Sequence, residues 1–163
     1  MNTRDFTFTR LAAALALALT LPLAGAAQRG TSGTGIDFVS GGATDEELTL
    51  LRADRKSYTF WLVTAALGSG AYLAEVMVRI TEAGSGRLVV EHKMDGPWLF
   101  AALPAGRYAV EATIASGRGG RPETQRITTT IGSGQIHQST LYFATGDQTE
   151  ADVAGGKPPP ARP

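Results

Sequence analysis

"DGPWLFAALPAGRYAVEATI", residues 95–114, decides the fold. Gly96-Pro97 makes a turn, and the run from Trp98 to Leu103 has the length and composition of a strand. Pro104 fixes φ for the next turn and donates no backbone hydrogen bond; Gly106 permits a positive φ. Beyond it, Tyr108, Val110, Ala112 and Ile114 alternate with Arg107, Ala109, Glu111 and Thr113. That period of two belongs to a strand with one buried face. Tyr108 can bury its ring and return its hydroxyl to the loop backbone. Two rigid turns thus bracket one strand and launch another. Gly96, Pro97, Pro104, Gly106 and Tyr108 are read as structural turn residues, without chemistry of their own.

The same pattern continues on both sides. Strand-like runs at 57–66, 72–81, 87–93, 98–103, 107–115, 123–131 and 136–144 are separated by Gly- or Pro-containing turns. Seven short runs of this kind predict an all-β domain over 57–144, a sandwich or barrel. Val76, Val78 and Ile80 share one face of their run, and Ile127, Thr129 and Ile131 share one face of theirs. Before the strands, Thr44 and Glu47 have capping-box spacing, and Leu48, Leu51 and Arg55 fall on one helical face. A short amphipathic helix is predicted over 44–56, covering an edge or open end of a sheet. Residues 28–43 are rich in Gly, Ser and Thr and read as a flexible leader, with Ile36, Phe38 and Val39 as candidates to dock on the domain. The stretch 145–163 has few apolar residues and a Pro-rich end, and reads as a disordered tail.

Residues 1–27 read as a signal peptide. Arg4 and Arg10 precede the apolar run "LAAALALALTLPLAGAA", and Ala24-Gly25-Ala26 offers a small-residue cleavage site. This implies a periplasmic or secreted protein with no membrane span after cleavage. The 163 residues carry equal numbers of basic and acidic groups and no cysteine. That balance gives no basic excess for nucleic acid. It also means that the core, not disulfides, must hold the fold, and a chain of this size can bury enough surface to do so.

"WLFAALPAGRYAVEAT" resembles the carboxypeptidase regulatory-like domain, a prealbumin-like (transthyretin-like, Ig-like) β-sandwich. The residues that carry the resemblance are Phe100, Leu103, Pro104, Gly106 and Tyr108, within a match extending over Ser57 to Ala144. It implies a seven-stranded sandwich and a supporting or interaction role outside catalysis. The transthyretin-like fold also hosts hydroxyisourate hydrolases, but the last strand here runs into "TLYFATGD" and lacks their Tyr-Arg-Gly-Ser signature.

No catalytic constellation is legible. His92 and His137 stand on separate strands, and a zinc site needs three or four ligands. His92 with Met94 is a weak pair for copper and reads as strand surface. "GSGA" and "GSGQ" are not nucleophile elbows, and "SGRGGRP" is not followed by the Lys-Ser/Thr of a phosphate loop. No enzyme activity, cofactor or metal is therefore expected. The expected function is a non-catalytic domain that binds or supports another cell-envelope protein. The alternative is a carbohydrate or small-molecule module with Trp98 and Trp61, together with Tyr58 and Tyr72, as stacking faces. Trp98, Trp61 and Arg118 are the candidate contacts for a ligand or partner. Exposed, adjacent tryptophans would favour the glycan reading, and buried ones would weaken it.

Overall fold

A computed structural model describes residues 27–145. The signal segment expected over 1–27 (save Ala27) and the tail expected over 145–163 (save Thr145) lie outside the described residues. The chain order is β1 (Gln28–Thr31), β2 (Asp37–Gly41), α1 (Asp45–Asp54), a 3-10 turn (Arg55–Ser57), β3 (Phe60–Ala66), β4 (Met77–Glu82), β5 (Leu88–Lys93) and β6 (Trp98–Ala101). It continues through β7 (Gly106–Ile114), a 3-10 turn (Arg118–Gly120), β8 (Glu123–Ile131) and β9 (His137–Phe143).

The strands form a two-sheet sandwich. One sheet has the order β1-β2-β6-β3-β9 and the other β5-β4-β7-β8. Neighbours are antiparallel except β3 and β9, which run parallel from Phe60 opposite His137 to Ala66 opposite Phe143. The main core lies between the sheets, where Phe60, Leu62, Val78, Ile80, Val110 and Phe143 are fully buried. A second cluster lies on the outer face of the five-stranded sheet, where Val39, Val63, Trp98 and Phe100 pack with Leu51 of α1.

This layering explains two sequence textures. The four-stranded sheet has one face in water, so β4 and β7 alternate buried and exposed positions. The five-stranded sheet is covered on both faces over β6 and most of β3, so "WLFA" and "FWLV" read as continuous apolar runs.

The sandwich has nine strands, not the seven expected from sequence. The added pair, β1 and β2, is formed by the stretch read as a flexible leader. Strand β2 lies inside the sheet, with Val39 opposite Phe100 and Phe38 opposite Ala101. Its strand character comes from these tertiary pairings rather than from local propensity. Two side chains fasten this hairpin to β5 and its following turn. Thr34 Oγ1 donates to the Val89 carbonyl at 2.9 Å, and Ser40 Oγ accepts from Asp95 N at 3.1 Å. The run expected to begin as a strand at 72 enters β4 only at Met77, after Glu75 takes a left-handed backbone (φ 60°).

Helix α1 begins as its sequence predicts. The Thr44 hydroxyl accepts from Glu47 N at 3.2 Å. The Glu47 carboxylate reaches past Thr44 and accepts from Gly42 N at 3.1 Å and Ala43 N at 2.9 Å. These bonds satisfy otherwise orphaned donors and fix the entry of the helix. Rather than closing an end of the sandwich, α1 lies against the outer face of the five-stranded sheet through Leu48 and Leu51.

At the Pro-x-Gly corner, the Tyr108 hydroxyl donates to the Pro104 carbonyl at 3.0 Å. Gly106 does not use the left-handed region that glycine permits. Its lack of a side chain serves the Tyr108 ring instead: a β-carbon there would lie 3.3 Å from the phenolic oxygen. Gly96 has a similar role, because a β-carbon at that position would sit 2.3 Å from the Gly41 carbonyl oxygen.

Candidate functional site

Trp61 and Trp98 lie on the outer face of the five-stranded sheet. The β3–β6 register sets Trp98 opposite Val63 and Phe100 opposite Trp61. Ring centroids connect Trp61 to Phe100 at 5.2 Å, Phe100 to Trp98 at 5.9 Å and Trp98 to Tyr72 at 6.3 Å. The result is an aromatic row crossing two strands and ending on the segment before β4.

Arg52 of α1 and Arg55 of the 3-10 turn that follows it border this row. Arg52 Cζ stands 5.9 Å from the Trp98 ring centroid, and Arg55 Cζ stands 5.8 Å from that of Trp61. Both distances suit cation–π contact. Trp98 is 8% exposed and presents no open platform. Its Nε1 is buried without an acceptor among the described residues. Trp61 is half-buried, and its Nε1 donates to the Tyr58 carbonyl at 3.3 Å. Tyr72, at 53% exposure, is the most open ring of the row. Among the described residues, neither Arg52 nor Arg55 has a carboxylate partner.

The structure thus brings Trp61 and Trp98 together through Phe100 but keeps Arg118 on the other sheet. Arg118 is exposed in the β7–β8 connection. Sequence reasoning missed Arg52 and Arg55 as part of this face. Their charges near a helix C-terminus read as dipole compensation. Their spacing of three residues also places them near one another on the helix surface, a signal that was available.

A cleft of about 330 Å³ opens beside this face, lined by Arg29, Gly30, Thr31, Asp37, Phe38 and Tyr58. Its polar groups already serve one another. Arg29 is hydrogen-bonded to Asp54, which raises its pKa further, and Thr31 Oγ1 donates to Asp37 Oδ1 at 2.7 Å. Burial pushes the Tyr58 phenol above its ordinary range, while Arg29 pulls it back.

The histidines are separated. His92 lies on β5 with its ring 4.8 Å from that of Phe38, and His137 stacks near Phe60 on β9. His92 Nε2 is 3.7 Å from Asp95 Oδ2, too far for a hydrogen bond, and has no other acceptor or donor partner among the described residues. Burial lowers the His92 pKa and Asp95 opposes the shift. Met94 is fully buried in the core. No group of three metal-ligating side chains occurs among the described residues.

The outer face of the four-stranded sheet contrasts with the aromatic row. Glu91, Arg79, Glu111 and Arg126 stand in register across its strands with alternating charge. Arg126 Nε meets Glu111 at 2.6 Å and Arg79 Nε lies 3.6 Å from Glu91. This face neutralises itself. Among the described residues no helix is long and apolar enough to cross a membrane.

In comparison with known proteins, no family model matches the chain and no curated protein matches it.

Proposed function

We propose that this chain is a non-catalytic binding module of the cell envelope, and that it holds a protein partner on the outer face of its five-stranded sheet. The observation that carries this reading is the pair of accessible rings at the ends of the aromatic row, half-buried Trp61 and exposed Tyr72, beside the exposed Arg52 and Arg55. Tryptophan, tyrosine and arginine are the residue types that dominate binding energy at protein interfaces. An envelope location is supported by the leader-like sequence over 1–27 and the lack of cysteine is compatible with it. The Pro104–Tyr108 corner supports reading the sandwich as a carboxypeptidase regulatory-like domain acting between chains. A glycan-binding role has weaker support, because sugar stacking needs an open ring face and Trp98 has none.

The test is capture from envelope extracts on the immobilised full chain, with a Trp61→Ala/Tyr72→Ala variant and a Thr128→Ala variant of the opposite sheet beside it. A discrete protein enriched by the wild type and by Thr128→Ala, and lost with the double variant, is expected. No enrichment above blank beads, or equal enrichment by all three chains, overturns the reading.

A further inference from the structure

We infer that the segment of the partner seated on this face is an extended, acidic peptide whose carboxylates bind Arg52 and Arg55. This deepens the reading above and rests on it.

The argument begins with the disposition of charge. Arg29, Arg79, Arg87, Lys93 and Arg126 are each paired with a carboxylate of this chain. Arg52 and Arg55, like Lys56, Arg107, Arg118 and Arg121, have no acidic partner among the described residues, but they alone of these six stand over indole rings. Stacking orders a guanidinium while leaving its N–H edge free, and that edge matches a carboxylate with two parallel hydrogen bonds. Contact with the rings lowers the cost of ordering the two guanidiniums for a ligand.

Spacing is compatible with an extended ligand. Residues three apart on a helix have β-carbons about 5–6 Å apart. Alternate side chains of an extended strand are about 6.6–6.8 Å apart on one face. Acidic residues at alternate positions of an extended segment can therefore meet both arginines at once. Asp45 and Glu46, exposed at the other end of α1, repel further carboxylates and confine the acidic contact to the Arg52–Arg55 end. Beneath Arg52, the Trp98 Nε1 donor is buried and unpartnered, which marks the same spot as incompletely satisfied.

An acidic polysaccharide offers the same carboxylates but would require ring platforms for its pyranoses. Trp98 is 8% exposed, and Trp61 lies between Phe100 and Arg55. The buried rings favour the peptide.

The experiment is a fluorescence titration of the full chain, whose only tryptophans are Trp61 and Trp98. The probes are an eight-residue peptide of alternating glutamate and valine, its glutamine counterpart, and oligogalacturonate. Saturable change is expected with the glutamate peptide alone. Affinity should fall about tenfold or more in Arg52→Gln/Arg55→Gln, the loss of two charge-assisted contacts. Thermal unfolding of that variant verifies its fold, and Arg118→Gln controls for net charge. Equal binding of the glutamine peptide, undiminished binding by the folded double variant, no binding, or binding of oligogalacturonate alone overturns the inference. So does binding that emerges only in a chain ending at 145, which would assign the arginines to Asp147, Glu150 and Asp152 of the same molecule. If extract capture succeeds and is unchanged in Arg52→Gln/Arg55→Gln, the partner-binding function stands and the acidic segment falls; if capture itself fails, the function falls.

Discussion

The Tyr108 hydroxyl donates to the Pro104 carbonyl at 3.0 Å and so ties the start of β7 to the turn that launches it. The bond joins a buried ring to an exposed proline. Tyr108→Phe keeps the ring and removes only this bond. The expected cost is about 1 kcal/mol, the usual net worth of one hydrogen bond. Urea denaturation should show a lower midpoint with an unchanged slope; an unchanged midpoint would show that the bond adds nothing to the corner.

Gly96 faces the opposite constraint, that of space. A β-carbon there would lie 2.3 Å from the Gly41 carbonyl oxygen, joining the β6 turn to the end of β2. Gly96→Ala should cost about 2 kcal/mol or more through forced displacement of backbone. At Gly84 a β-carbon meets nothing within 4 Å, so Gly84→Ala should stay within about 0.5 kcal/mol of wild type. Equal midpoints for the two variants would contradict the close approach.

These two positions show what was legible in the sequence. Pro104, Gly106 and Tyr108 announced a corner because each acts locally, through a fixed φ, a missing side chain and an amphipathic ring. Gly106 does not use the positive φ that glycine permits; a β-carbon there would press on the Tyr108 ring at 3.3 Å, a contact that only a shift of the ring relieves. Alternation correctly sorted Val76, Val78 and Ile80, because one face of their sheet meets water. The strands β1 and β2 were hidden because glycine, serine and threonine conceal a strand whose order comes from pairing with β6. Burial of Trp98 was hidden for a similar reason: "WLFA" is apolar throughout and does not reveal that α1 covers its second face.

Glu47 links the helix to the strand before it. Its buried carboxylate accepts from Gly42 N and Ala43 N, and both bonds are charge-assisted. Glu47→Ala should cost about 2 kcal/mol, given about 1.5–3 kcal/mol for a hydrogen bond to a charged group and partial replacement by water. Amide exchange at Gly42 and Ala43 should accelerate more than at Val110 in the main core. Uniform acceleration would mean that these bonds break only with the whole domain.

His92 gives the fold a pH dependence of definite sign. Burial lowers its folded pKa below the ordinary 6.5. The unfolded chain therefore takes up a proton first as pH falls. Stability from this group is fully present above the unfolded value and is lost progressively down to the folded one. Unfolding midpoints should fall as pH drops below about 6.5, before most carboxylates titrate. His92→Gln should flatten this part of the profile. A wild-type midpoint that rises on acidification would mean that Asp95 outweighs burial.

The central claim is that the outer face of the five-stranded sheet receives a protein partner. The most direct measurement is photo-crosslinking in intact envelopes, with a photoreactive side chain in place of Tyr72 and, separately, of Thr128 on the outer face of the other sheet. The account predicts one discrete, higher-mass adduct from position 72 and none from 128. No adduct from 72, or the same adduct from both positions, would contradict it.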